Sequence, residues 1–391
     1  MLFFLDARNE CTGCTACQAV CPVDCITFNL DNEGFYYPTA DSRCINCGRC
    51  EKVCPLINKR YGLEKYRQYS LAGRHKDDQI WQESSSGGAF SAICEVVYEE
   101  NGVIFGAKYD GLEVVHDYVE NLEDIRKFRK SKYVQSNMRD CFRKAKNFLS
   151  QGRQVIFSGT PCQIAGLRNF IGKEYDNLFC IDLVCHGVSS PGIFKRYIVE
   201  LEQENKSSIK SFTFRQKNIV RGNLLQYIVS ISLVNGEVIE SFPNLYNTAF
   251  IQTILSRPSC EQCHFANIKR VGDITIADFK KKFELLPNEK SLDNLSTIII
   301  NSSKGEKVAS LLSENMTIVP IELDKIIKTN TPLRQPSKAN KNRSNFFYEA
   351  SNEKSIIELL KKYVEKPSIF MRAWLLVPEK LRAKIKSIFG I

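Results

Sequence analysis

The chain has 391 residues, of which 43% are hydrophobic and 25% are charged, and its formal net charge is +10. This length exceeds that of most single domains, so we expect two or three folded units. The composition excludes disorder of the whole chain. Because the sequence contains no recognised nucleic-acid-binding motif, we expect no nucleic acid partner.

The amino-terminal segment and the cysteine content indicate the compartment. The five apolar residues that precede Asp6 have no basic start and are too few for a signal peptide. No run approaches the roughly 18 apolar residues of a membrane span. We therefore expect a cytoplasmic protein, in which thiols are kept reduced. In that compartment sixteen cysteines indicate ligands more readily than disulfides.

Two copies of one cysteine motif, CxxCxxCxxxCP, lie near the amino terminus. The motif is typical of bacterial ferredoxins with two [4Fe–4S] clusters, in which the fourth cysteine of each run binds the other cluster. A zinc site ordinarily uses two cysteine pairs separated by a longer loop, so zinc and disulfides are the less favoured alternatives. The ferredoxin pattern assigns one cluster to Cys11, Cys14, Cys17 and Cys54, and the other to Cys44, Cys47, Cys50 and Cys21.

The segment between the two runs predicts a β-hairpin that turns at Asn32-Glu33-Gly34. Residues 1–60 are therefore expected to form a two-cluster ferredoxin-type domain, and a polar linker is predicted over 58–70. The cysteines outside the ligand patterns are expected to pack in the interior as small apolar groups. They are Cys25, Cys94, Cys141 and Cys180.

Beyond the linker, apolar periods alternate between helix-like and strand-like. Two strand–turn–helix units in succession indicate a parallel α/β core, and the alternation around Asn235-Gly236 predicts an antiparallel hairpin. The predicted elements are a helix over 88–100, strands over 103–109 and 114–119, a helix over 138–150, strand–turn–helix units over 154–172 and 178–205, and the hairpin region over 209–243. The predicted fold class is α+β, with a small ferredoxin-like domain followed by an α/β body that carries a β-rich subdomain.

Four segments of the body contain residues that could bind a cofactor or a metal. SSSGGAF (84–90) is a turn of small residues before a helix, where backbone N–H groups can face a phosphate, although a plain helix cap is an alternative. KSKYVQS (130–136) is a polar turn. Cys162 and Cys185 each follow a predicted strand, at the edge where a parallel sheet presents its ligands. With the Cys260–Cys263 pair they would make a four-thiolate set, although that pair could also bind zinc or nothing.

In this order behind a two-cluster ferredoxin motif, five segments resemble the coenzyme F-420 hydrogenase/dehydrogenase beta-subunit family. The segments are SSSGGAFSAI, KYVQS, FSGTPCQIAGL, DLVCHGVSSPGIF and CEQCHFANIKRVGDITIADF. The resemblance covers roughly residues 1–330 and implies a body in two parts, 65–175 and 176–330. It also implies FAD and, as in many members, a third [4Fe–4S] cluster close to the flavin.

The resemblance carries roles onto individual residues. Ser86, Gly87 and Gly88 would hold the FAD phosphates or ribose. The residues that would line the flavin or its substrate are Lys132, Tyr133, Gln135 and Ser136. The residues that would ligate the third cluster are Cys162, Cys185, Cys260 and Cys263, with Pro161 and His186 beside them.

We therefore expect an iron–sulfur flavoprotein oxidoreductase that moves electrons between [4Fe–4S] clusters and FAD, coupled to a hydride-type substrate or carrier such as a deazaflavin. The alternative is a non-enzymatic electron-transfer subunit that docks to a partner redox enzyme. The expected partners are a redox protein or ferredoxin and a small-molecule electron donor or acceptor. Residues 331–391 are a basic linker and an amphipathic tail, which could be a solvated helix or could contact an acidic protein or an anionic membrane surface.

Overall fold

The computed structural model describes residues 9–59, 65–220, 223–287, 293–352 and 354–365, together with residues 377, 381 and 385. Within these residues, thirteen strands form three sheets. The strands are β1 Ile26–Leu30, β2 Tyr36–Ala40, β3 Tyr69–His75, β4 Val103–Asp110, β5 Glu113–Val119, β6 Val155–Gly159, β7 Leu178–Leu183, β8 Ile209–Val220, β9 Asn223–Leu233, β10 Val238–Ser241, β11 Ile274–Asp278, β12 Ser296–Ile300 and β13 Met316–Ile321.

The α-helices of the described residues are short to medium in length. None of them is both long and apolar enough to cross a membrane. They are α1 Ala16–Val20, α2 Arg49–Val53, α3 Asp78–Glu83, α4 Ala89–Val97, α5 Cys141–Ser150, α6 Pro161–Ile171, α7 Pro191–Asn205, α8 Leu245–Ile251, α9 Lys282–Leu285, α10 Ser303–Leu311, α11 Leu323–Thr329, α12 Arg343–Ser351 and α13 Ile356–Tyr363.

In the amino-terminal module, residues 9–59, the two cysteine runs have the same local structure. Helices α1 and α2 have the same length, and each begins after a residue in the left-handed region, Thr15 and Gly48, both at φ 68°. Between them β1 and β2 pair antiparallel, from Ile26 opposite Ala40 to Leu30 opposite Tyr36. The predicted ferredoxin-like hairpin is therefore confirmed.

The largest sheet of the body has the strand order β13-β3-β12-β11-β7-β6-β4-β5. The four central strands β11, β7, β6 and β4 run parallel to one another. The flanking strands β5, β12, β3 and β13 pair antiparallel. The predicted parallel α/β core is confirmed at the centre of the sheet. Strands from both predicted parts of the body, 65–175 and 176–330, contribute to this sheet.

Several boundaries of predicted elements differ from the structure. The helix predicted over 138–150 begins at Cys141, because residues 139 and 140 form a turn. The polar linker was expected to extend to residue 70, but Tyr69 and Ser70 begin β3, because their backbone pairs with β12 and β13 and the Ser70 hydroxyl donates to the carbonyl of Ile321. The helix predicted over 88–100 ends at Val97. Tyr98 has extended backbone and its hydroxyl donates to the carbonyl of Glu120, which turns the chain towards β4.

The three-stranded sheet β8–β10 forms the predicted β-rich subdomain. Its inner face packs on α7 and on the two carboxyl-terminal helices α12 and α13 in one apolar core. Thus part of the segment expected to be a basic linker and tail is folded into the body. The predicted amphipathic tail over 366–390 lies, apart from three single positions, outside the described residues.

The ferredoxin module is fixed to the body through its hairpin turn. The N–H of Gly192 at the start of α7 donates to the carbonyl of Gly34 at 3.0 Å, and the two backbones approach so closely that a Cβ on Gly34 would lie 2.7 Å from the Cα of Gly192. Beside this contact the Glu33 carboxylate pairs with the buried guanidinium of Arg343 at 2.6 Å. Hydrogen bonds and an ion pair therefore set the position of the module.

Candidate functional site

The first thiol set comprises Cys11, Cys14, Cys17 and Cys54. All four line one small cavity of the module, as the ferredoxin pattern predicts. Each residue is at most 9% exposed. Burial raises the pKa of Cys14 above its ordinary value, and Cys54 adds to the rise. The fourth cysteine of the second run therefore lies with the first three of the first run.

The second thiol set comprises Cys44, Cys47, Cys50 and Cys21, and it lies closer to solvent. Cys47 is exposed, whereas Cys44 and Cys50 are half-buried. The sulfur of Cys25 lies 3.4 Å from that of Cys21. Burial raises the pKa of Cys25 to about 12, with contacts to Cys21 and Cys44 contributing, so Cys21 lies on the Cys44 side of the module. As expected, Cys25 is buried.

The third thiol set comprises Cys162, Cys185, Cys260 and Cys263. Burial raises the pKa of Cys185, and the other three thiols raise it further, so the four side chains are neighbours. Burial likewise raises the pKa of Cys162 to about 11 and that of Cys260 to about 12. Among the described residues no three His, Cys, Asp or Glu side chains converge as they would on a single metal ion.

Strand ends position the members of the third thiol set. Cys162 lies in the first turn of α6, directly after β6, and Cys185 follows β7. The loop that carries the Cys260–Cys263 pair is held by Asp182 at the end of β7. The carboxylate of Asp182 accepts N–H groups of Val271 and Gly272 at 3.1 Å and pairs with Arg270 at 3.2 Å.

The first and third thiol sets are adjacent across the interface between module and body. Cys162 raises the pKa of Cys14 as a minor contribution after burial and Cys54. A Cβ on Gly166 in α6 would lie 2.9 Å from the sulfur of Cys14. The glycine therefore allows the module to lie against the helix that carries Cys162.

A large cavity of about 1090 Å³ opens at the carboxyl ends of the parallel strands, where ligands bind in open α/β sheets. Its wall includes the ends of β6, β7 and β11, residues 84–86 and 88–89 before and at the start of α4, and the segment 337–341. Cys185 and His186 also line it. The cavity and the third thiol set therefore share one wall.

The serine–glycine turn, residues 84–88, is held tightly at one end of the cavity. The Ser86 hydroxyl donates to the carbonyl of Leu295 at 2.6 Å, and the buried ammonium of Lys217 donates to the carbonyl of Ser86 at 2.7 Å. Ser86 and Gly88 line the cavity. Gly87 lies behind them, where a Cβ would come within 2.1 Å of the carbonyl oxygen of Gly73.

Of the residues predicted in KSKYVQS, Lys132, Tyr133 and Ser136 line the cavity. The ring of Tyr133 stacks on that of Phe250, with centroids 4.6 Å apart. Burial lowers the pKa of Lys132 to about 7. Gln135 differs from the expectation of a flavin or substrate contact: its side chain faces the ferredoxin module, where its carbonyl oxygen accepts from Arg257 at 3.1 Å and its amide lies against Gly13.

Several cavity residues were not identified from the sequence. The buried Arg215 forms an ion pair at 2.8 Å with the half-buried Asp278, and the hydroxyl of Tyr227 donates to the same carboxylate at 3.2 Å. His116 hydrogen-bonds through Nδ1 to the Ser136 hydroxyl at 2.8 Å and through Nε2 to the carbonyl of Ser158 at 3.1 Å. Their only sequence signal is a charged or polar residue within an apolar strand.

The buried ring of His116 makes folding sensitive to acid. Burial lowers its pKa to about 4, so the unfolded chain, in which histidine titrates near 6.5, binds the proton more readily. The stability contributed by the neutral ring is present above about pH 6.5 and is lost as the pH falls towards 4. The expected loss between pH 7.5 and 6.0 is about 1 kcal/mol.

The measurement is the apparent Tm of the anaerobic holoprotein at these two pH values. His116→Asn should show a smaller decrease in Tm between them than the wild type. An identical decrease in both proteins would contradict the assignment.

The fold and the cysteine sets define an iron–sulfur protein of electron transfer. Residues 10–56 match the 4Fe-4S dicluster domain, and residues 152–325 match the family model for the C terminus of the coenzyme F420 hydrogenase/dehydrogenase beta subunit. The resemblance drawn from the sequence is confirmed by these two matches, one to a 4Fe-4S dicluster domain and one to the C terminus of a coenzyme F420 hydrogenase/dehydrogenase beta subunit.

Among solved structures, a chain of the F420-reducing [NiFe] hydrogenase complex from Methanosarcina barkeri, studied by xenon derivatization, is similar. The two chains are 18% identical with a TM-score of 0.44, and the similarity covers 78% of this chain and 92% of that chain. No curated protein matches the sequence significantly. The two matches relate the chain to oxidoreductases and support iron–sulfur clusters in the dicluster domain.

Proposed function

We propose that the chain is an iron–sulfur flavoprotein that moves electrons between its [4Fe–4S] clusters and an FAD in the large cavity, coupled to a hydride-type substrate or carrier. One observation carries the proposal. Cys185 lines the cavity and is also a member of the third thiol set, which abuts Cys14 of the ferredoxin module. The first thiol set, the third thiol set and the cavity are thus adjacent in that order.

The residues of the cavity fit a dinucleotide. Its volume of about 1090 Å³ slightly exceeds the range of ordinary ligand pockets, which is roughly 300–1,000 Å³. Backbone N–H groups before α4 suit a phosphate, and the stacked rings of Tyr133 and Phe250 suit an aromatic ring system. The basic residues among its described lining outnumber the carboxylates of Asp278 and Glu365. They are Arg129, Lys130, Lys132, Arg215, Lys280, Lys338 and Lys341.

The third thiol set fits a [4Fe–4S] cluster, because such clusters are held by four cysteine thiolates. Cys162, Cys185, Cys260 and Cys263 would hold it. FAD, when bound, supplies the conversion between the two-electron chemistry of a hydride and the one-electron chemistry of the clusters.

Residues of the chain shape the cavity around these groups. The Nδ1 atom of His186 lies 3.1 Å from the Ser337 hydroxyl, and that hydroxyl donates to the His186 carbonyl at 2.6 Å. The ring of His186 meets Phe250 edge-on at 5.4 Å. The segment around Ser337 is thereby fixed to His186, beside Cys185, in the wall of the cavity.

The second thiol set supports an electron-exchange surface for a redox partner. Cys47 is exposed, and the adjacent Ile45 is 62% exposed. A partner protein or ferredoxin could approach a cluster there more closely than at the buried first set. We propose the cytoplasm as the compartment, in keeping with sixteen free cysteines.

The proposal is tested by anaerobic purification followed by a visible spectrum and by iron and flavin analysis. We expect about twelve iron atoms per chain, from three four-iron clusters, and one FAD. About eight iron atoms would exclude the third cluster, and absence of flavin would exclude the flavoprotein. Turnover with candidate acceptors, including a deazaflavin and oxidised ferredoxin, separates an enzyme from the alternative of a relay subunit that acts only with its partner.

Tyr133 provides a test of flavin contact. Tyr133→Ala removes the ring that stacks on Phe250, and we expect at least about a tenfold loss of FAD affinity, equivalent to about 1.4 kcal/mol. Tyr133→Phe keeps the ring and should retain most of the affinity. The measurement is FAD binding by fluorescence quenching at equal iron content. Equal affinity in the alanine variant would contradict a flavin contact at this residue.

A further inference from the structure

Arg257 lies at the interface between the ferredoxin module and the body, and its side chain is fully buried. Its Nε donates to the carbonyl of Cys11 at 2.7 Å. Its Nη1 donates to the carbonyl of Tyr36 at 3.0 Å and to the side chain of Gln135 at 3.1 Å. The guanidinium also stacks on the ring of Tyr37, 3.9 Å from its centroid. These contacts fix its position.

The charge of this guanidinium has no carboxylate partner within ion-pair distance among the described residues, and its Nη2 atom has no hydrogen-bond partner there. An uncompensated buried charge is costly, and buried charges are ordinarily paired. Other buried arginines of the chain follow that rule, since Arg270 pairs with Asp182 and Arg343 with Glu33. Among the described residues, therefore, no carboxylate supplies the compensating negative charge of Arg257.

Two thiolate sets flank the guanidinium. On the module side it bonds to the backbone of Cys11, a member of the first thiol set. On the body side Arg257 stands three residues before Cys260, and the backbone N–H of Cys260 donates to the carbonyl of Arg257 at 2.9 Å. Four thiolates give a cluster a net negative charge, which supplies the missing counter-charge.

We propose that Arg257 is the shared counter-cation of the clusters held by the first and third thiol sets, and that it raises the reduction potential of both. A positive charge favours the state that has gained an electron, and burial strengthens this effect because the local dielectric is low. Net charge and hydrogen bonds are established determinants of cluster potential. The inference rests on the proposed function for the third cluster, but not for the first, which belongs to the dicluster domain.

Three variants of the full-length holoprotein test the proposal by potentiometric titration followed by EPR. Arg257→Gln removes the charge. Gln135→Glu keeps the arginine and adds a carboxylate beside Nη1. We expect both variants to lower the reduction potentials of the two flanking clusters by at least about 59 mV. This shift corresponds to about a tenfold change in the one-electron reduction equilibrium. Arg257→Lys keeps the charge and should shift them less. Among the described residues Arg257 makes no hydrogen bond to a member of the second thiol set, so the potential of that cluster should shift less.

A matched control removes another buried pair of the same interface without changing the net charge. In Arg343→Gln/Glu33→Gln the interface is weakened but Arg257 remains, and the potentials should stay as in the wild type. Unchanged potentials in Gln135→Glu, or an equal shift of every cluster, would overturn the proposal even if Arg257→Gln fails to fold. Iron content separates failure of the proposed function from failure of the proposal on Arg257. About eight iron atoms per chain would mean that the third cluster is absent. The shift in the reduction potential of the first cluster would then alone decide the role of Arg257.

Discussion

Replacement of Cys185 by serine is expected to remove about four iron atoms per chain while the dicluster module keeps its EPR signals. Cys185 is the member of the third thiol set that also lines the cavity, and burial together with its three sulfur neighbours places it within that set. Loss of a ligand should weaken cluster binding by at least about a hundredfold, since even outer partners of a metal site are worth about 10–100-fold.

The consequence is kinetic as well as compositional. Without the third cluster, flavin reduction from the module should fall sharply in stopped-flow experiments, although FAD remains bound. The matched control is Cys141→Ala, a buried cysteine in α5 outside the three sets, which should keep the wild-type iron content. Full iron content in Cys185→Ser would exclude this residue as a ligand.

Substitution of Gly87 by alanine is expected to abolish FAD retention and to lower the stability of the body by about 1–3 kcal/mol or more. A Cβ at this position would lie 2.1 Å from the carbonyl oxygen of Gly73 in β3 and 2.4 Å from the amide nitrogen of Ser296 in β12. Both are backbone atoms of paired strands, so the serine–glycine turn must move instead. Its N–H groups would then leave the position that suits a phosphate.

Gly111→Ala is the control for this variant. Gly111 has φ +59°, but a Cβ there would meet nothing within 4 Å. It should therefore cost some stability through backbone strain and leave the flavin content unchanged. The measurements are flavin-to-protein ratio and apparent Tm after anaerobic purification. Wild-type flavin content in Gly87→Ala would contradict the assignment of the turn to the cofactor.

The parts of the fold that the sequence predicts are those determined by neighbours along the chain. The cysteine runs, the module hairpin and the strand–turn–helix units around Cys162 and Cys185 each depend on a few consecutive residues. Strand β3 was missed because its partners, β12 and β13, lie more than 200 residues away. Its own residues, Tyr69–His75, show little of the regular alternation of a half-buried strand.

The same reasoning applies to the site. Ser86, Gly88, Lys132, Tyr133 and Ser136 line the cavity because two local motifs meet at one edge of the sheet. The Arg215–Asp278 pair joins β8 to β11, and no local sequence pattern predicts this contact. Gln135, within one of those motifs, faces the module instead, where its side-chain carbonyl accepts a hydrogen bond from Arg257, a residue 122 positions further along the chain.

The docking of the hairpin turn against α7, through Gly34, Gly192 and the Glu33–Arg343 pair, has a consequence for reaction order. A ferredoxin that diffuses freely must find its acceptor, and the rate of that encounter depends on the concentrations of both proteins. Here the module and the body with its proposed third cluster and flavin occupy one polypeptide. Under the proposed function, electron exchange between module and body would be unimolecular, and dilution of the protein would leave its rate constant unchanged.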